Sequence, residues 1–96
     1  MQPKVYISGL GTISAIGDTV GANLAALAAG ETGIGRCSYL STVHADDFPV
    51  GEVKFSNAEL ASICNWAGTN SRSAMLSFIA AREALEDSGF LKDNPY

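Results

Sequence analysis

Between Lys4 and Gly17 the chain reads K-V-Y-I-S-G-L-G-T-I-S-A-I-G, a run that few folds accommodate. Val5-Tyr6-Ile7 is β-branched and aromatic, too short for a helix, and closed off by glycine. That pattern predicts a strand buried on both faces, as in a parallel sheet covered by helices. Gly9 and Gly11 flank Leu10, so two residues without a Cβ stand where the backbone turns sharply or another backbone comes close. Ile13, Ala15 and Ile16 keep the next residues apolar, which predicts a connection tucked inward. Gly17-Asp18-Thr19 then punctuates the run. Asp18 or Thr19 caps a helix over about Val20 to Ala29, with Gly30 as its stop. Val20, Leu24, Leu27 and Ala28 share one stripe of that helix. The expectation is strand, buried turn, helix: half of a βαβ unit.

Composition sharpens this. Ninety-six residues make one small domain or part of a larger one. Apolar residues are 47% and charged residues 17% of the chain, whereas a small free-standing domain has much surface and usually more charge. Some apolar surface is therefore expected to be covered by something outside these residues. Six basic against ten acidic side chains give a formal charge of −4. Without a basic cluster, that charge argues against nucleic acid and anionic membrane as partners. Cys37 and Cys64 have no metal-like spacing and imply no disulfide framework. Neither a membrane-length apolar run nor the charged and apolar regions of a signal peptide is present, so a cytoplasmic location is expected.

From Glu31 to Phe55 the pattern loosens, with turns marked by Gly33, Gly35, Asp46-Asp47 and Pro49. Glu52-Val53-Lys54-Phe55 alternates polar and apolar and predicts a short, half-exposed edge strand. Ser56-Asn57-Ala58-Glu59 fits a capping box opening a short helix to about Cys64, broken near Trp66-Ala67-Gly68. Asn70 or Ser71 caps a last helix to about Asp87, stopped by Gly89. Its first turns are apolar on nearly every side (Ala74, Met75, Leu76, Phe78, Ile79), and later turns gather Arg82, Glu83, Glu86 and Asp87 on one arc. Its start is thus expected to be buried and its end solvated, with a weak Arg82–Glu86 pair. Ser73, Ser77, Ala80, Ala84 and Ser88 form a stripe of small residues that permits close approach by a neighbouring helix or sheet. Phe90 to Pro95 reads as the loop leaving that helix. A further strand, pairing beside Val5-Tyr6-Ile7, is expected next in an α/β unit.

Three blocks carry a family resemblance. V-Y-I-S-G-L-G-T-I-S-A-I-G resembles the opening strand and turn of the β-ketoacyl-acyl-carrier-protein synthases, the condensing enzymes of fatty-acid and polyketide synthesis. The likeness continues into Gly30-Glu31-Thr32-Gly33-Ile34. It returns in Ala80-Ala81-Arg82-Glu83-Ala84-Leu85-Glu86-Asp87-Ser88-Gly89, similar to that family's A-x-E-A-L-x-D-[AS]-G helix end. The stretch from about Arg36 to Gly68 matches weakly, and Ala15 departs from the family's usual proline.

The resemblance implies an α/β chain, residues 1–96 being the N-terminal part of a thiolase-like layered α-β-α-β-α fold. In this part it implies one central buried strand, two main helices and a short edge strand. It implies, for a full-length parent, decarboxylative Claisen condensation of an acyl thioester with a malonyl thioester on acyl carrier protein, by a homodimer or a ketosynthase heterodimer. In that chemistry the acyl group rides on a cysteine thiolate at a helix N-terminus. Two histidines assist decarboxylation, and backbone N–H groups hold the thioester oxyanion. Those groups lie in motifs beyond Tyr96, so no catalytic, cofactor-binding or metal-binding residue is carried over and no cofactor is implied. A chain-length-factor-like partner lacking the nucleophile, and a small stand-alone interaction domain, are the alternatives.

The residues that invite sharper readings all have plainer ones. Cys64, near a helix end, and Cys37, with no strand before it, lack the setting of the family nucleophile; Cys64 reads as a buried thiol. His44, beside Asp46 and Asp47, has too few partners for a metal site and reads as a solvated loop residue. Gly9-x-Gly11 lacks the third glycine of a dinucleotide fingerprint, because position 14 is Ser14. Ser8 and Ser14 lack the G-x-S-x-G elbow. Trp66 reads as a core or interface residue with no aromatic platform for nucleic acid around it.

Overall fold

The computed structural model describes residues 2–66 and 71–93. They form a small mixed α/β structure of helices and one two-stranded antiparallel sheet. Helix α1 spans Val20–Ala28, strands β1 and β2 are Ile34–Gly35 and Val50–Gly51, α2 is Asn57–Cys64, α3 is Arg72–Ser88 and α4 is Phe90–Asp93.

Local chemistry fixes most helix ends. Thr19 caps α1 by accepting the Ala22 N–H at 3.0 Å, and Ala29 closes it ahead of Gly30. The α2 capping box forms in both directions: Ser56 Oγ accepts from Glu59 N (3.1 Å) and Glu59 Oε1 accepts from Ser56 N (3.2 Å). Asn65 ends α2 in the left-handed region at φ 56°. Ser71 caps α3, and Gly89 ends it at φ 75°. The expected break at Ala67-Gly68, the alternative cap Asn70, and the end of the exit loop at Asn94-Pro95 fall outside the described residues. Phe90 to Asp93, expected as loop, is the short helix α4.

The core lies between α2 and α3. Leu60, Cys64, Met75 and Ile79 are buried, with Ile13, Phe55, Ala61, Trp66, Leu76 and Phe78 packed around them. Trp66 rests on Phe78 with ring centroids 4.7 Å apart and planes at 52°. Ile13 reaches this cluster from the half-buried turn after the glycines, where Ser14 and Gly17 exchange backbone hydrogen bonds of 2.8 and 3.4 Å. The inward tuck expected there is present.

Two strand expectations are corrected. Val5, Tyr6 and Ile7 form no strand and are 92%, 77% and 81% exposed. A strand exists by pairing its backbone with a neighbour, and no described residue lies alongside to do so. The short strand expected at Glu52–Phe55 instead forms two residues earlier, with Val50 opposite Gly35 and Gly51 opposite Ile34. Glu52 is drawn inward by other partners, which ends the ladder.

The chain leaves much of its apolar surface uncovered. Its radius of gyration is 16.2 Å, against about 12.5 Å for a compact domain of this length. Its accessible surface is 6934 Å², against about 5,200 Å² for a folded monomer of this mass. Leu24 and Leu27 on the α1 stripe are exposed as well. The real packing centre is small, so it is sensitive. Leu60→Ala is expected to remove about 2–5 kcal/mol of stability, measured by urea unfolding of the α-helical signal; a loss under about 1 kcal/mol would contradict the placement of the core at α2–α3.

Candidate functional site

The chemically reactive residues are dispersed. Cys64 is buried, its Sγ 3.6 Å from the Met75 carbonyl, and burial pushes its thiol pKa up against a smaller pull from Arg82. Such a thiol is packed, as expected, and poorly ionised. Cys37 is buried 3.5 Å from Glu52 Oε2. His44 is exposed and pairs with Asp47 at 2.9 Å, while Asp46 turns away to Arg36 at 2.6 Å. Among the described residues no group of three or more His, Cys, Asp or Glu is placed to hold a metal ion.

What the structure does bring together is the glycine segment and α3. A Cβ on Gly9 would run into the Ala84 carbonyl and the Ser88 backbone; one on Gly11 would strike the backbone of Ala80 and Ala84. The segment therefore lies directly on the small-residue stripe of α3. Moving two residues along it moves four residues along the helix, about 6 Å, close to the advance of an extended chain at about 3.3 Å per residue. Residues 9–11 are thus extended and run antiparallel to α3.

Carboxylates line the same contact. Asp87 Oδ2 accepts the Leu10 N–H at 3.0 Å and Glu83 Oε1 accepts the Thr12 N–H at 2.8 Å. Glu83 Oε2 also accepts the Val20 N–H at 2.9 Å, at the start of α1. Glu83 and Asp87 are therefore not merely part of a solvated arc. Arg82 turns away from Glu86, donating to the Ile63 carbonyl at 3.3 Å and lying 5.3 Å over the Phe78 ring, so the expected pair is absent among the described residues. Beside the contact, Ser8, Gly9, Ala84, Leu85, Ser88 and Phe90 line an open groove of about 290 Å³. Val5, Tyr6 and Ile7 continue from it into solvent as an exposed apolar segment.

Glu52 is the buried charged residue of the described chain. Its carboxylate accepts N–H groups from Ser38 (2.7 Å), Tyr39 (3.0 Å) and Leu40 (2.8 Å). Burial alone would raise its pKa; the three backbone donors, helped by the Cys37 thiol, overcome that and bring it to about 2. Around this hub, the Tyr39 hydroxyl donates to the Lys54 carbonyl at 3.2 Å and Arg72 donates to the Val53 carbonyl at 2.8 Å, with its guanidinium 5.8 Å over the Tyr39 ring. Nothing in the alternation of Glu52 to Phe55 signals the inward turn. Glu83 and Asp87 had a signal, since each directly precedes a small residue of the stripe, Ala84 and Ser88.

Comparison with protein-family models, curated proteins and solved structures finds no match to this chain. Among the described residues no helix is long and apolar enough to cross a membrane.

Two outcomes follow from this geometry. The folded pKa of Glu52 lies below its ordinary value of 4.5, so its stabilisation is complete above that value and is lost as pH falls toward about 2. Glu52→Gln is expected to flatten the acid side of a stability–pH curve in that window; an unchanged slope would contradict the hydrogen-bonded carboxylate. The exposed Val5–Ile7 backbone is expected to drive self-association of the chain. Ile7→Lys should reduce it in sedimentation velocity, and a sharp monomer for the unmodified chain would refute that.

Proposed function

We propose that this chain is the N-terminal scaffold segment of a β-ketoacyl-acyl-carrier-protein synthase with thiolase-like architecture. In this reading a longer protein carries out decarboxylative Claisen condensation between an acyl thioester and a malonyl thioester on acyl carrier protein, in fatty-acid or polyketide-type synthesis, as a homodimer or a ketosynthase pair. One observation carries the proposal: Gly9 and Gly11, in the first block of the resemblance, lie against Ala80, Ala84 and Ser88, in the last. Blocks recognised separately in the sequence form one packing unit. The exposed Val5–Ile7 segment then becomes an interior strand once the remaining strands of such a protein flank it. The chain's role is to set the position of that strand and its helix, with the reacting cysteine and histidines supplied by later segments.

The test is made on the natural full-length protein, with an acyl thioester and a malonyl-carrier thioester as substrates. The expected result is a 3-ketoacyl-carrier product with release of carbon dioxide, abolished by iodoacetamide on a cysteine other than Cys37 and Cys64. A full-length protein of this fold with no cysteine where a strand leads into a helix N-terminus would be a non-catalytic, chain-length-factor-like partner. A natural protein that ends at Tyr96 and melts as a cooperative monomer would overturn both readings in favour of a small interaction domain.

A further inference from the structure

We propose that α3 is a register template for the glycine segment: a strap of extended backbone, residues 9–12, is held by the helix itself, with no partner strand among the described residues. Two independent ladders on α3 share one spacing. The small residues Ala80, Ala84 and Ser88, four apart, receive Gly9 and Gly11, two apart. The carboxylates of Glu83 and Asp87, also four apart, take the N–H groups of Thr12 and Leu10, two apart. The rise of four helical residues and the length of two extended residues differ by only about 0.6 Å, so both ladders are satisfied in a single register.

A slip of one residue along the strap would bring Leu10, with its Cβ, onto the alanine backbone and move the N–H donors off the carboxylates. A two-residue slip would again offer N–H groups to Glu83 and Asp87 but would put Ile7 where Gly9 now lies. Sterics and hydrogen bonding both exclude the first slip, and sterics excludes the second. Glu83 adds a second constraint, because its other oxygen holds Val20 N and ties the end of the connecting turn to the same point. The consequence is a division of labour within the first twelve residues. The part from Gly9 onward is fixed in place, while Val5 to Ile7 is exposed and unpaired among the described residues. This device does not depend on the condensing-enzyme reading and survives its failure.

Amide hydrogen exchange on the 15N-labelled chain tests it. In the unmodified chain, Leu10, Thr12 and Val20 amides are expected to exchange about tenfold or more slowly than those of Val5 to Ile7, allowing for intrinsic rates. In the double variant Glu83→Ala, Asp87→Ala, which keeps good helix formers in α3, that protection should vanish while Leu60, Met75 and Ile79 stay protected. Gly11→Val, acting through sterics alone, should expose the same Leu10 and Thr12 amides. Unchanged exchange at Leu10 and Thr12 in either variant would overturn the proposal. So would simultaneous loss of protection at Leu60, Met75 and Ile79, which would make the strap an inseparable part of the core.

Discussion

The distance at which a polypeptide backbone can lie on a helix is set by the side chains between them, and in this chain both sides give up theirs. Glycine at positions 9 and 11 meets alanine and serine on α3, so main chain rests on main chain. That contact carries little apolar area of its own. It is held by the Glu83 and Asp87 carboxylates, which accept backbone N–H groups from Thr12 and Leu10. It is also held through Ile13, which the strap delivers to the α2–α3 core. Without the close approach Glu83 and Asp87 would have no backbone within reach, and the turn from Thr12 to Thr19 would lose its anchor at Val20.

Two polar hubs organise the remainder, and they work alike. Glu83 gathers backbone donors from the turn and from the start of α1. Glu52 gathers three consecutive donors from the Ser38–Leu40 turn. In each case a carboxylate satisfies N–H groups that secondary structure leaves unpaired, the requirement that every buried donor find an acceptor. The chain has a short sheet and a modest core, so these carboxylates replace strand pairing as the means of holding loops.

The sequence made some of this readable and hid the rest, for physical reasons. Helix ends were legible because capping is local: Thr19, the Ser56–Glu59 box, Ser71 and Gly89 act over three or four residues. The small stripe of α3 and the paired glycines were legible as places of close approach, and they proved to approach each other. Val5–Ile7 reads as a buried strand but is exposed, because residue pattern reports what a segment is suited to, while burial depends on neighbours that the described residues do not supply. Glu52 was hidden because a carboxylate in an alternating run reads as the outward position. Only the nest of N–H groups from a turn twelve residues away reverses that. The candidate surface was legible as an apolar surplus, and the partner strand expected beside Val5-Tyr6-Ile7 pointed to its location.

Because the strap lies between the core and the exposed apolar segment, its contact with α3 fixes where that segment begins. The most direct test is a nuclear Overhauser measurement in solution between the Gly9 and Gly11 Hα protons and the methyl groups of Ala80 and Ala84. The structure predicts cross-peaks from Gly11 to both alanines and from Gly9 to Ala84. Random-coil shifts for residues 9–12, with none of these cross-peaks while Leu60, Met75 and Ile79 remain packed, would contradict it.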